Sequence, residues 1–289
     1  MTTFLEFARR GRTQWWCYVL APILAMVIWV GLIVVAFVPA FIGHLIPADF
    51  DTLARDPSHP VFFYGFTGLI FGGLVLAFTG AVRIVHGKRF MDIVGAWSWR
   101  RMGFAAGLWL VVCIVCALVD YVVSPSGFHL TFGPQTATLA MIAIPSLAVQ
   151  TFCEEFIFRG YVTQGLLLAT KRPLVTAVIS GLIFGAMHIP NGAPEAANAV
   201  LFGIVTALIA IRTGGLAFTY GLHLVNNLFG AIIVVSAGDV LHGSPGVITQ
   251  VTPNLMWLDV GAACVAFALV WWLVASRPAA VAVGPEEVF

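Results

Sequence analysis

Residues 15–42 read WWCYVLAPILAMVIWVGLIVVAFVPAFI, a run of 28 residues without a charged side chain. About 20 consecutive apolar residues are enough for an α-helix to cross the hydrocarbon core of a bilayer. A secretory signal peptide has a shorter apolar region, so we interpret this run as an uncleaved first membrane helix. The run therefore indicates an integral membrane protein.

The composition of the whole chain agrees with this interpretation. Of its 289 residues, 60% are apolar and only 9% are charged, and the mean hydropathy is +0.99. Soluble domains have about 45–50% apolar and about 25% charged residues. The net charge is +1, too balanced for a nucleic-acid-binding protein. These values exclude an ordinary soluble globule, a disordered chain and a nucleic-acid partner.

Apolar runs recur along the chain and predict eight membrane helices in an all-α polytopic bundle. The runs are too long and continuous for the alternating strands of a β-barrel. Most breaks contain Pro, Gly or charged residues, as in Lys171-Arg172-Pro173 and Ile189-Pro190-Asn191-Gly192. The segment 157–172 is interpreted as an interfacial helix or a loop. The eight predicted spans are 15–42, 60–82, 103–123, 137–157, 173–189, 196–212, 215–235 and 255–275.

The basic residues predict the orientation of these spans. We place the N-terminus in the cytoplasm and count the basic residues in loops and at span ends. Only Arg55 then lies on the outer side of the membrane, which agrees with the positive-inside rule. Both termini are therefore predicted to be cytoplasmic, in a multi-pass protein of a bacterial inner membrane. The basic residues predicted inside are Arg9, Arg10, Arg12, Arg83, Lys88, Arg89, Arg100, Arg101, Lys171, Arg172, Arg212 and Arg277.

Polar residues within the predicted spans are the candidates for function, because ionisable groups inside a membrane are costly. They concentrate in the second half of the chain. Asp120 and Asp259 lie near the predicted outer helix ends, where an interfacial role is expected. The others are Glu154, Glu155 and Arg159 in span four, His188 at the end of span five, and His223, Asn226 and Asn227 in span seven.

The spacing of these residues predicts a compact polar cluster. Glu155 and Arg159 are four residues apart, so they share a helix face and can form an ion pair. Glu154 is rotated by about 100° from Glu155 and faces a different neighbour. If spans four, five and seven pack together, a carboxylate, two imidazoles and an amide converge. Such a set can activate water as a general base and stabilise an oxyanion.

Each of these residues also has a purely structural interpretation. Glu155 and Arg159 are compatible with a structural ion pair, and a lone histidine or Asn227 with a packing contact between helices. Cys113 and Cys116 lie between apolar residues and are interpreted as packing residues. The two sequences GLIFG at 68–72 and 181–185 predict close helix packing.

Three motifs in order resemble those of the CPBP family, the CAAX-protease and bacteriocin-processing membrane proteases also called Abi. Residues 154–161, EEFIFRGY, are similar to its EExxxR motif. Residues 184–188, FGAMH, are similar to its FxxxH motif, and residues 223–227, HLVNN, to its HxxxN motif. We therefore expect a catalytic core at 137–235 within a single membrane domain, 1–289, whose residues 1–136 carry no recognised motif.

The resemblance implies hydrolysis of a peptide bond within or at the edge of the membrane. It implies that Glu154 activates the water, His188 holds and polarises it, and His223 and Asn227 stabilise the oxyanion. Glu155 and Arg159 orient the site. The family has been described both as metal-independent and as metal-dependent, so the expected cofactor is either none or a divalent metal such as zinc.

A metal would be held by Glu154, His188 and His223, with the fourth position left for water. The contiguous HExxH pattern of soluble zinc proteases is absent, which favours direct catalysis by the glutamate. A thiol nucleophile at Cys153 is a weaker alternative, because that side chain faces away from Glu154.

The expected partners are the lipid bilayer and a membrane-associated protein or peptide substrate. Two other functional classes remain open. A proton- or ion-coupled transporter would use the same buried ionisable groups as a relay. A catalytically inactive scaffold would retain the fold alone.

Overall fold

The computed structural model describes residues 3–252 and 256–276. It is a helical bundle, as predicted, and it also contains one small sheet. The α-helices are α1 Thr3–Ala8, α2 Trp15–Ile42, α3 Phe50–Arg55, α4 Pro60–His86, α5 Phe90–Val94, α6 Trp99–Val123, α7 Pro134–Glu154, α8 Thr163–Thr170, α9 Pro173–Met187, α10 Ala193–Thr213, α11 Ala217–Leu228 and α12 Met256–Ala275. Two π-helical segments, Glu155–Val162 and Phe229–Ile233, continue α7 and α11, and 3₁₀ turns occur at Pro125–Gly127 and Ile189–Asn191.

Every predicted span coincides with a helix. Six helices in the described part of the chain are long and apolar enough to cross a membrane. The other two, Pro173–Met187 and Ala217–Ile233, are apolar but shorter. The protein is therefore a polytopic membrane protein.

The fourth span is longer than predicted. From Pro134 to Thr170 the chain is one continuous helix of 37 residues, so 157–172 is neither a loop nor a separate interfacial helix. Its middle part, Glu155–Val162, is π-helical, a rare geometry that is frequent at functional sites. The acidic pair thus lies where α7 changes into the π segment.

The helices end where the sequence predicts breaks. Lys171 adopts a left-handed conformation with φ 56°, and Pro173 starts α9 two residues later. Gly192, with φ 110°, separates the 3₁₀ turn from α10. Gly214, with φ 82°, separates α10 from α11. Glycine adopts positive φ without the steric cost that a Cβ imposes, which explains its place at the last two breaks.

The segments predicted to be cytoplasmic lie together at one end of the bundle. Arg10 forms an ion pair with Asp92, and the Lys88 ammonium donates to the Ala8 carbonyl. Arg101 donates to the Thr213 carbonyl. These contacts join the N-terminal segment, the 87–98 connection and the end of α10, in agreement with the charge pattern. Arg277 lies outside the described residues.

The opposite end is closed by a three-stranded sheet that the sequence reading did not anticipate. Strand β1, Phe128–Leu130, pairs antiparallel with β3, Ile248–Gln250, and β3 pairs in parallel with β2, Val234–Ser236. The predicted outer connections thereby link the ends of α6, α7 and α11.

Close helix packing occurs at both GLIFG sequences. A Cβ added to Gly181 would lie 2.7 Å from the Ile204 backbone nitrogen, and one on Gly185 would lie 3.0 Å from the Ala196 carbonyl oxygen. The two glycines therefore allow α9 and α10 to approach closely. At the other GLIFG sequence, a Cβ added to Gly68 would lie 2.8 Å from Oγ of Ser146 on α7.

Candidate active site

Three helices bring the predicted polar cluster together. Glu154 ends α7 and Glu155 begins the π segment, His188 follows the last residue of α9, and His223 and Asn227 lie on α11. A cavity of about 280 Å³ lies among them. Its polar wall consists of Thr67, Gln150, Glu154, His188, Asn191, Glu195, Asn198, His223, Asn226 and Asn227. Four of the six predicted site residues thus share one cavity.

Glu155 and Arg159 lie behind the cavity wall. Both side chains are fully buried, with 3.4 Å between Arg159 Nε and Glu155 Oε1. Arg159 Nε also donates to Thr206 Oγ1 at 2.8 Å, and the guanidinium carbon lies 3.9 Å from the centre of the Phe184 ring. The pair predicted from the four-residue spacing is therefore present, and α10 and the aromatic ring hold it in place.

The buried carboxylate of Glu155 orients His223. Glu155 Oε1 lies 2.9 Å from His223 Nδ1. A carboxylate paired with arginine is an acceptor, so Nδ1 carries the proton. The other ring nitrogen, Nε2, then faces the cavity and lies 3.4 Å from Glu154 Oε2. Glu155 thus sets both the ring orientation and the nitrogen that the cavity presents.

Glu154 is the carboxylate that reaches the cavity. Its side chain is 14% exposed, whereas that of Glu155 is 0% exposed. Its Oε1 accepts a short hydrogen bond from Gln150 Nε2, one helical turn earlier on α7. The rotation of adjacent helix positions therefore separates the two glutamates into one accessible group and one buried group, as predicted.

Asn227 is fixed by neighbours on α7. Its Nδ2 donates to Gln150 Oε1 and to Thr151 Oγ1, both at 3.1 Å. Its Oδ1 accepts from Asn226 Nδ2 at 3.3 Å. Both amide protons of Asn227 are thus already in use within the protein.

His188 enters the same cavity from the end of α9. Its Nδ1 lies 2.9 Å from the Phe184 carbonyl, an acceptor, so this nitrogen carries a proton. The ring also lies 4.5 Å from the Phe184 ring, between centroids. These contacts leave Nε2 available to a small molecule such as water.

The predicted metal ligands do not form a metal-binding group. Within residues 3–252 and 256–276, no three His, Cys, Asp or Glu side chains are arranged to hold a metal ion. One polar atom of each of Glu154, His188 and His223 is used in the hydrogen bonds given above. The ligand set stays a prediction, and no step proposed below depends on it.

A second polar cavity, of about 250 Å³, adjoins the first and shares part of its wall. Asp120 and Asp259, expected to be interfacial, lie in its wall and hydrogen-bond each other. Asp239, between β2 and β3, also lines this cavity. Burial raises the pKa of its carboxyl group, and this effect exceeds the lowering by hydrogen bonds from the backbone. Glu195 belongs to both walls.

Sequence reasoning missed Gln150 and Glu195 as members of the site. Gln150 precedes Glu154 by four residues, so a search of the same helix face for uncharged polar residues would have found it. Glu195 falls in a predicted loop, and only the tertiary structure brings it to the cavity.

Comparison with known proteins identifies the part of the chain that holds this cluster. Residues 136–229 match the family described as Type II CAAX prenyl endopeptidase Rce1-like. This segment is similar to an Rce1-like domain. The resemblance expected from the three motifs is thereby confirmed for residues 136–229, and the match supports a CAAX-protease-like membrane protein.

The matched segment contains all six predicted site residues, from Glu154 to Asn227. A curated relative, the uncharacterized protein YyaK of Bacillus subtilis (strain 168), is 28% identical over 190 residues. That match covers 61% of this chain and 63% of YyaK, which is less than two thirds of the relative's length. No solved structure matches the chain.

Proposed function

We propose that this protein is an intramembrane endopeptidase in which Glu154 activates water for attack on a peptide bond. The observation that carries the proposal is the shared cavity. Glu154, His188, His223 and Asn227 line one polar space of about 280 Å³ inside an apolar bundle. A family of peptidases supplies the sequence match for the same residues.

The hydrolytic step follows from the groups available. A water molecule bound between Glu154 and His188 loses a proton to the Glu154 carboxylate, and its oxygen attacks the carbonyl carbon of the substrate. The proton then passes to the leaving nitrogen as the carbon–nitrogen bond breaks. The products are a new carboxyl terminus and a new amino terminus.

The oxyanion that forms during attack needs donors on the opposite wall. His223 Nε2, when protonated, and Asn227 Nδ2 can supply them, and such donors act strongly in a site that excludes bulk water. Asn227 must exchange one of its two present hydrogen bonds for the oxyanion. Glu155 and Arg159 keep His223 in the required orientation without touching the substrate.

The location of the cavity suggests the kind of substrate. It lies among helices that are long and apolar enough to cross a membrane. A membrane-associated protein or peptide is therefore the proposed partner, and the inner membrane of a bacterium is the proposed location. Lateral entry from the bilayer predicts that cleavage of soluble peptides in detergent is slow.

The test compares membranes of cells that carry the wild-type protein or the Glu154→Gln variant. This substitution keeps the shape of the side chain and removes the base. New peptide termini found only with the wild-type protein would support proteolysis and identify the substrate. If both proteins are folded and abundant and the termini are identical, the endopeptidase proposal is refuted.

The same samples decide whether a metal takes part. A chelator added to the cleavage reaction should leave it unchanged if Glu154 acts directly. Loss of cleavage on chelation and its recovery with zinc would favour the metal-assisted alternative.

A second candidate is proton- or ion-coupled transport, and the adjoining cavity is the observation that favours it. Asp120 and Asp259, from α6 and α12, face Asp239 there, and Glu195 lies in the walls of both cavities. Buried carboxylates of this kind occur along ion pathways. Solute flux into proteoliposomes that is lost in Asp120→Asn, without new peptide termini, would favour this function.

A further inference from the structure

A continuous series of hydrogen bonds ends on the carboxylate of Glu154. The Trp109 indole nitrogen donates to Asn226 Oδ1 at 3.2 Å, and Asn226 Nδ2 donates to Asn227 Oδ1 at 3.3 Å. Asn227 Nδ2 donates to Gln150 Oε1 at 3.1 Å, and Gln150 Nε2 donates to Glu154 Oε1. The series connects α6, α11 and α7.

The two ends of the series determine the direction of every bond in it. An indole N–H only donates, and an ionised carboxylate only accepts. Each amide between them must therefore turn its oxygen toward Trp109 and its nitrogen toward Glu154. Because a reversed amide would place two donors or two acceptors face to face, Gln150 is held in the orientation that donates to Glu154.

We propose that Gln150 is a positioning residue, which holds the Glu154 carboxylate in the orientation required to accept a proton from water. This inference rests on the proposed endopeptidase function. Gln150 contacts both sides of the reaction, since it donates to the base and accepts from the amide of Asn227. It lies in the wall of the cavity and is half-buried.

Glu154 depends on this hydrogen bond because its other close contact is long. His223 Nε2 lies 3.4 Å from Glu154 Oε2, whereas Gln150 Nε2 donates a hydrogen bond to Glu154 Oε1. Glu155, Arg159 and Glu195 are the other charged groups near Glu154, and none of them donates a hydrogen bond to it in the described part of the chain. Removal of the amide frees the carboxylate to rotate.

The expected effect is a loss of kcat without a matching rise in KM. A displaced general base slows the chemical step while leaving ground-state contacts with the substrate in place. We expect Gln150→Leu to lower kcat roughly 10- to 100-fold, with KM within about 3-fold of wild type. Gln135→Leu is the matched control, because Gln135 lies on the same helix and is exposed.

The experiment combines turnover with infrared spectroscopy on the purified full-length protein in detergent micelles. The probe for turnover is a fluorogenic peptide with a prenylated C-terminal cysteine motif, the substrate type named in the description of the matched family. The infrared measurement identifies the carboxyl stretching band of Glu154 as the difference between wild type and Glu154→Gln. Gln150→Met is measured beside Gln150→Leu, so that one poorly folded variant does not decide the result.

The inference is supported if the Glu154 band shifts in both Gln150 variants, stays unchanged in Gln135→Leu, and the shift accompanies the loss of kcat. An unchanged band, or turnover by Gln150→Leu within 2-fold of wild type, overturns it while Glu154-dependent cleavage still stands. If the wild-type protein shows no Glu154-dependent cleavage of the peptide or of membrane proteins, the proposed function fails and the positioning role fails with it.

Discussion

Replacement of Arg159 by methionine tests how strongly the buried ion pair stabilises the fold. Arg159 and Glu155 are both 0% exposed, and 3.4 Å separates Arg159 Nε from Glu155 Oε1. With an effective dielectric constant of about 20, two unit charges at this distance attract each other by about 5 kcal/mol. Loss of one partner from a buried pair costs about 3–5 kcal/mol, because the remaining charge stays buried without compensation.

We therefore expect Arg159→Met to lower the free energy of unfolding by about 4 kcal/mol. The double variant Glu155→Gln/Arg159→Met should recover at least half of this loss. The glutamine still accepts from His223 and no charge is left unpaired. The remaining deficit, about 2 kcal/mol, comes from the lost contact between the Arg159 guanidinium and the Phe184 ring, whose centre lies 3.9 Å from the guanidinium carbon.

The assay is reversible unfolding in mixed micelles, in which the proportion of dodecyl sulfate to a mild detergent is raised and helix content is followed by circular dichroism. The two variants and the wild-type protein are measured at one pH. A single variant within 1 kcal/mol of wild type would refute the argument, as would a double variant no more stable than Arg159→Met.

Three further predictions concern other parts of the molecule. Asn227→Leu should lower kcat roughly 100- to 1000-fold with little change in KM, since one oxyanion donor is lost, and an equal rise in KM would indicate a substrate-binding role instead. Gly181→Ala should destabilise the protein by about 1–3 kcal/mol, because the new Cβ would lie 2.7 Å from the Ile204 nitrogen. Gly80→Ala, with no atom within 4 Å of the new Cβ, should be neutral or stabilising in the same unfolding assay. Burial lowers the pKa of Lys88 to about 8, so the free energy of unfolding should rise between pH 8 and pH 10 by about 2 kcal/mol, because the unfolded chain still binds a proton there. A rise of the same size in Lys88→Met would contradict the last prediction.

The helices and their ends could be predicted because the properties that decide them are local. A run such as 15–42 is apolar over the thickness of a bilayer whatever surrounds it. Pro173, Gly192 and Gly214 end or separate helices through their own backbone preferences. The interpretation of 157–172 as an interfacial helix or a loop was wrong. In the structure, residues 134–170 form one continuous helix.

The candidate site was predictable in its membership but only partly in its arrangement. Helical periodicity alone separates Glu154 from Glu155 and pairs Glu155 with Arg159. It does not show that Glu155 also binds His223, 68 residues away, because that contact depends on how α7 and α11 pack.

The sequence by itself thus determined that this is a multi-pass helical membrane protein with one polar cluster, because hydropathy, charge pattern and motif spacing are properties of short segments. Only the tertiary structure decided which polar groups meet. In the structure, the Asn227 amide donates to Gln150 and the Gln150 amide donates to Glu154. Glu195 lies in the cavity wall, and Asp120 hydrogen-bonds Asp259. These relations join residues far apart in the chain, and hydrogen-bond direction is fixed only when donors and acceptors on different helices face one another.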